Sequence, residues 1–295
     1  MKYCIYALLL LFTVTINAQS KETYTYAIKD GDTLKLDVYK PNNIKPTDSL
    51  PVLLWIHGGG FEIGSRDNEP DRKLCEYIAN KGYIGVSISY RLLRKNGETH
   101  FGCNCDNDLK LNVFKEAITD YFDAANFIVH NSKSLQIDTT KIIAGGSSAG
   151  AEVVLNAAYM REYFIENLQS YEDVKFAGVF SLAGALINVN YLTKQNALPT
   201  VLFHGTDDNL VPFATAPHHY CETSKPGYII LDGSSVIAKK LSDLETPYFF
   251  YMVKGAKHEI SSVPFKELES VLDFFKRTVL DDVIIQTKII KQKQQ

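Results

Sequence analysis

Apolar residues in this chain fall into two kinds of segment, and their alternation predicts the architecture. Segments 23–28 and 33–39 interleave β-branched and aromatic residues with polar ones, the pattern of half-buried strands. Asp30, Gly31 and Asp32 between them signal a tight hairpin. Segment 51–56 is continuously apolar, as expected of a strand buried on both faces. From there strand-like runs at 83–90, 141–144, 177–182, 201–203 and 248–253 alternate with helical ones at 70–81, 113–129, 149–160, 235–244 and 264–280. Gly82 stops the first helix, and Val113, Ala117, Tyr121, Ala124 and Ile128 give the second a core face. The last helix has Pro264 in its first turn and a stripe of Phe265, Leu268, Leu272, Phe275 and Val279. The expectation is an α/β fold: a mostly parallel central sheet, helices on both faces, and an N-terminal antiparallel hairpin.

Composition narrows this. Lys2, an apolar core over 7–14 and the small residue Ala18 read as a secretory signal peptide over 1–18. That core is short for a bilayer and no later run is longer, so stable membrane insertion is not expected; a retained anchor is the alternative. The chain is then secreted or periplasmic. Residues 19–295 suit a single domain, with no linker, repeat or charge block, and 45% hydrophobic residues supply a large core. A formal net charge of −3 offers no footprint for nucleic acid. The basic, polar tail 288–295 is expected to fray.

Cys75, Cys103, Cys105 and Cys221 remain after the leader, and an even count in an exported chain suggests disulfides. One residue separates Cys103 from Cys105, which would strain a mutual bridge, so each is expected to join Cys75 or Cys221. A zinc site from His100, Cys103 and Cys105 is the sharper alternative, but it lacks the second half of a zinc motif.

In an open parallel sheet, chemistry sits at the carboxyl ends of the strands. Four motifs follow strands directly. Gly146, Ser147, Ser148, Ala149 and Gly150 form G-x-S-x-G, a sharp strand-to-helix turn that exposes a serine nucleophile; its glycines permit close backbone approach. His57 and the three glycines Gly58, Gly59 and Gly60 follow segment 51–56, and their N–H groups can face a developing oxyanion, with the N–H of Ala149 as a further donor. A phosphate loop would need a lysine that is absent here. His204 to Asn209 follow 201–203 and offer two competing carboxylates, Asp207 and Asp208. His258 follows 248–253 and can act as general base. His57 is expected to brace the glycine loop and His204 to be structural, while His218 and His219 have no strand directly before them.

Taken together, segments 57–61, 89–92, 146–151 and 204–212 with His258 resemble the α/β-hydrolase superfamily of serine esterases. The likeness is to the carboxylesterase and hormone-sensitive-lipase-like branch and to bacterial feruloyl and acetyl-xylan esterases. The resemblance implies Ser148, Asp208 and His258 as the catalytic triad, with Asp208 rather than Asp207 at the acid position. It implies Gly59, Gly60 and Ala149 as the oxyanion hole and requires no metal or organic cofactor. Leu93, Arg94 and Lys95 replace the usual lipase-like continuation, and no long N-terminal cap is present, which favours the smaller secreted esterases.

The expected reaction is hydrolysis of a carboxylic ester, short-chain or carbohydrate-linked, through an acyl-enzyme. The substrate is the one partner expected; the oligomeric state is open. A peptidase or amidase using the same triad, or a binding protein on a hydrolase fold, are the alternatives. Insertions 92–112 and 212–234 are expected to shape the pocket. Phe61 and Tyr90 could line it, although core packing is their ordinary role.

Overall fold

The computed structural model describes residues 21–293; the expected signal peptide lies outside them. The hairpin forms as the alternation predicts. Strand β1 (Lys21–Lys29) pairs antiparallel with β2 (Asp32–Tyr39), and Lys29 faces Asp32 across a two-residue turn. Asp30 (φ 50°) and Gly31 (φ 85°) are both left-handed, as a turn matching the strand twist requires. Five further strands make the parallel body: β3 (Leu50–Ile56), β4 (Ile84–Ile88), β5 (Ile137–Ser147), β6 (Phe176–Leu182) and, after the two-residue β7 (Ala185–Leu186), β8 (Thr200–Gly205). Strands β9 (Thr215–Pro217), β10 (Ile230–Gly233), β11 (Tyr248–Lys254) and β12 (Gln286–Gln292) follow. The main sheet has nine strands in the order β1-β2-β4-β3-β5-β6-β8-β11-β12, and only β2 runs against the rest. A small antiparallel sheet, β7-β10-β9, stands apart from it.

The helices are α1 (Glu69–Asn80), α2 (Asn107–His130), the single turn α3 (Ser132–Leu135), α4 (Ala149–Tyr159), the single turn α5 (Arg161–Phe164), α6 (Ser234–Asp243) and α7 (Leu268–Phe275). Strand pleating divides the core. Leu54 packs with Phe114 and Tyr121 of α2, Val153 of α4 and Ile237 of α6 on one face. Its neighbours Leu53 and Trp55 pack with Leu74 of α1 and Leu268 and Phe275 of α7 on the other.

Several expectations are corrected. Helix α2 begins at Asn107, six residues before the apolar spacing starts, because Asp106 caps it by accepting from the Asp108 N–H at 2.9 Å. Lys110 lies in that added turn, fully buried, with Nζ donating to the Gly227 carbonyl at 2.8 Å. A buried lysine leaves no hydrophobic signal. Helix α7 starts at Leu268 rather than Pro264, leaving Phe265 exposed, and its last turn, Lys276–Leu280, widens to π geometry. Residues 288–292 of the basic tail do not fray but belong to β12, parallel to β11. Ile289 packs on the α1/α7 face, while Lys288 and Lys291 charge the free edge, which discourages edge-to-edge pairing. The small sheet also went unforeseen, since two- and three-residue strands are too short for periodicity to reveal.

Candidate functional site

The elbow follows β5 at once. Ser148 has φ 52° and ψ −123°, and its N–H donates to the Leu182 carbonyl at 2.8 Å. The flanking glycines are steric necessities: a Cβ on Gly146 would lie 2.3 Å from the Gly150 carbonyl oxygen, and one on Gly150 would lie 2.3 Å from that of Ile56. Ser147 Oγ donates to the Ser261 carbonyl at 2.7 Å, tying the elbow to the loop that carries His258.

Three side chains from separate strand ends meet here. Ser148 Oγ lies 2.7 Å from His258 Nε2, and His258 Nδ1 lies 2.8 Å from Asp208 Oδ2. A carboxylate only accepts, so Nδ1 carries the proton and Nε2 offers its lone pair to the serine hydroxyl. Asp208 is buried, and its Oδ1 accepts the N–H groups of Leu210 (2.9 Å) and Val211 (3.1 Å). His204 Nε2 adds a contact at 3.3 Å. Burial alone would push this carboxyl up, but the hydrogen bonds and charge of His204 and His258 outweigh it and hold Asp208 well below the usual carboxylate range. Asp207 is exposed and accepts from Thr206 Oγ1 instead. The two loops are laced together by Thr206 N–H to the Val253 carbonyl (3.0 Å) and Asp207 N–H to the Ala256 carbonyl (2.9 Å).

Beside Ser148, Gly58, Gly59, Gly60 and Ala149 line a cleft of about 350 Å³. Gly59 adopts φ 111°, and a Cβ there would sit 2.0 Å from the Ile63 carbonyl oxygen. The N–H groups of Gly59 and Gly60 meet no acceptor among the described residues, and Ala149 opens α4, where N–H groups lack intrahelical partners. Such a cluster suits an oxyanion. His57 braces the loop: Nδ1 bonds the Gly58 carbonyl at 2.7 Å, the ring packs 4.7 Å from Tyr90, and burial lowers its pKa. Phe61 and Tyr90 are core residues and do not line the cleft.

Both insertions reach the cleft, the first through Phe101 and the second through His218 and His219. A Cys103–Cys221 disulfide joins them, with Cα atoms 5.3 Å apart and a sequence separation of 118. Glu62, just past the glycine loop, holds the first insertion by accepting the Phe101 N–H (2.6 Å) and contacting His100 Nδ1 (2.8 Å). Cys105 and Cys75 are buried free thiols, so only one of the two expected bridges exists. Cys103 and His100 are thereby engaged elsewhere, and among the described residues no His, Cys, Asp and Glu cluster is arranged to hold a metal ion. One further correction concerns the second insertion, where strand β9 does precede His218; outside it, Glu152 of α4, which no motif flagged, also lines the cleft. A larger groove of about 700 Å³, around Tyr83, Phe249 and Leu272, shares no residue with this site. No described helix is long and apolar enough to cross a membrane.

Residues 36–186, half of the chain, match the BD-FAE family model. The chain belongs to the BD-FAE family. Its fold is the α/β-hydrolase fold that the alternation of strands and helices led one to expect. Among curated relatives, Gut esterase 1 of Caenorhabditis elegans is 34% identical over 123 residues, covering 42% of this chain and 20% of that protein. Phenmedipham hydrolase of Pseudarthrobacter oxydans is 34% identical over 122 residues, covering 41% and 22%. This BD-FAE chain therefore spans about a fifth of the length of those relatives. Esterase 2 of Thermogutta terrifontis, solved phosphorylated by paraoxon, shares the fold with a TM-score of 0.64 at 20% identity, over 91% of this chain and 96% of that one.

Proposed function

We propose that this protein is a secreted or periplasmic serine hydrolase that cleaves carboxylic esters, short-chain or carbohydrate-linked, through an acyl-enzyme. The observation that carries the reading is the continuous hydrogen-bonded chain Ser148–His258–Asp208 opening beside the Gly59, Gly60 and Ala149 N–H groups. Ser148 Oγ attacks the ester carbonyl as His258 Nε2 takes its proton. Asp208 orients the imidazole and stabilises the imidazolium. The Gly59, Gly60 and Ala149 N–H groups stabilise the oxyanion, each worth about 3 kcal/mol in the transition state. His258 then protonates the leaving alcohol, and water, deprotonated by the same imidazole, releases the acid.

The esterase names among the relatives support the ester class, and the phosphorylated relative supports a nucleophile that organophosphorus reagents reach. A cleft of this size suits a small acyl group. The signal-like sequence over 1–18 supports export. The test is turnover of nitrophenyl acetate and labelling by a fluorophosphonate probe. Wild type should show both. Ser148→Ala should lose both, with kcat down by about 10⁵-fold or more and an unchanged circular dichroism spectrum. Full activity in that variant sinks the assignment.

A further inference from the structure

One wall of the cleft carries polar groups that the hydrolytic steps leave unused. Glu152 on α4, one helical turn beyond Ser148, and His218 in the second insertion both line the cleft, at 2% and 1% exposure. His218 Nε2 lies 3.3 Å from Glu152 Oε1. That contact lacks hydrogen-bond alignment: Glu152 Oε1 and both ring nitrogens of His218 have no hydrogen-bond partner among the described residues. Buried polar atoms are ordinarily paired, so three unpaired ones converging on a cleft wall mark a place built to meet a polar group. Lys110, the nearby buried cation, is already committed to the Gly227 carbonyl.

The frame around the pair is apolar. Phe101 meets the His218 ring edge-on at 5.6 Å, and Val211 adds an aliphatic side. Burial raises the Glu152 carboxyl to about 8, which keeps it a proton donor at neutral pH. Burial likewise holds His218 well below its ordinary value, leaving the imidazole neutral with one lone pair free. An O–H donor beside a nitrogen acceptor, both uncharged, offers no opposite charge to an anion or an ammonium group and leaves one half of the pair unused by either. It does match a hydroxyl, whose oxygen accepts from the carboxyl while its hydrogen goes to the imidazole.

We infer that Glu152 and His218 form a recognition subsite for a hydroxyl group carried by the ester substrate. The inference rests on the esterase reading above. The two residues touch neither the scissile carbonyl nor the leaving oxygen in that reading; they select among esters. The hydroxyl belongs to the acyl group or to the alcohol, and matched substrates separate these sources.

The experiment measures kcat/KM for two ester pairs that differ by one hydroxyl: nitrophenyl 3-hydroxybutyrate against nitrophenyl butyrate, and 2-hydroxypropyl acetate against propyl acetate. Wild type should favour the hydroxylated member of one pair by about tenfold or more. Glu152→Leu and His218→Phe should each bring that ratio towards one, while Glu152→Gln, which keeps a donor and an acceptor, should retain part of it. Should Glu152→Leu not fold, His218→Phe carries the same comparison. Ratios near one for both pairs in wild type, or a ratio unchanged in the folded variants, overturn the inference while leaving the esterase reading intact. No turnover of any ester, with no fluorophosphonate labelling, removes the esterase reading and the subsite with it.

Discussion

The two sides of the cleft are built on different physical plans. On the triad side each functional residue sits within a few positions of a sheet strand, so strand spacing fixes the separations, and the polar atoms are paired through to the Leu210 and Val211 N–H groups. The opposite wall joins Glu152 of α4 to two insertions about a hundred residues apart, clipped by one disulfide. It passes through left-handed backbone at His219 (φ 56°) and Tyr220 (φ 52°) and leaves Glu152 and His218 unpaired. The proposed reaction chemistry would thus rest on the most redundant part of the fold, and the proposed selection on the least. A wall whose cleft-lining side chains Glu152 and His218 lie outside the triad's hydrogen-bond chain can change at those positions without disturbing the nucleophile.

The contrast can be broken at the triad first. Asp208→Asn should lower kcat for nitrophenyl acetate by about 10⁴-fold, because the imidazole loses the partner that fixes its tautomer, whereas Asp207→Asn should stay within about threefold. Equal losses in the two variants would mean that the carboxylates share the role. On the wall, replacing both Cys103 and Cys221 by alanine should cost about 2–4 kcal/mol of stability, read by urea titration. The same variant should raise KM for the preferred ester more than it lowers kcat. A loss confined to kcat would place the disulfide's influence on the triad instead.

The smallest effect concerns pH. Glu152 has a folded pKa of about 8, above its unfolded value, because burial and the charge of Asp208 outweigh the charges of His258, Lys110 and His204. A raised folded pKa means that the stability contributed by the neutral form is complete below the unfolded value and disappears as pH climbs through 8. Glu152→Gln has no such dependence. Its Tm should therefore gain on wild type by roughly 3 °C or more between pH 5 and pH 9, and a constant difference would show that Glu152 does not titrate in this window.

The same division governs what the sequence made legible. Ser148, Asp208 and His258 could be read because each motif abuts an apolar run, and because the order serine, aspartate, histidine belongs to one known geometry. The sheet was legible because β3 to β6, β8 and β11 are buried on at least one face and so carry long apolar signals. Glu152 was not: at one turn past the elbow it reads as an ordinary helix carboxylate, and its burial depends on where 218 lands. Lys110 was hidden likewise, since its partner is a carbonyl more than a hundred residues away. The disulfide was half legible. Distance along the chain argued against pairing Cys103 with Cys105, but only the packing of the insertions selects Cys221 and leaves Cys75 and Cys105 reduced.

Strand β12 has a consequence for how the molecule is made. It pairs with β11 alone and reaches it by a crossover through α7, which also covers Leu53, Trp55 and Phe180. Parallel partners joined this way assemble late, since the whole connection must exist first. During synthesis, then, the nucleophile, the acid and the base have all emerged while one edge of the sheet and part of one apolar face still stand open. Residues 262–293 line no part of the cleft, yet they decide when the sheet edge and the apolar face are covered and the chain stops being adhesive.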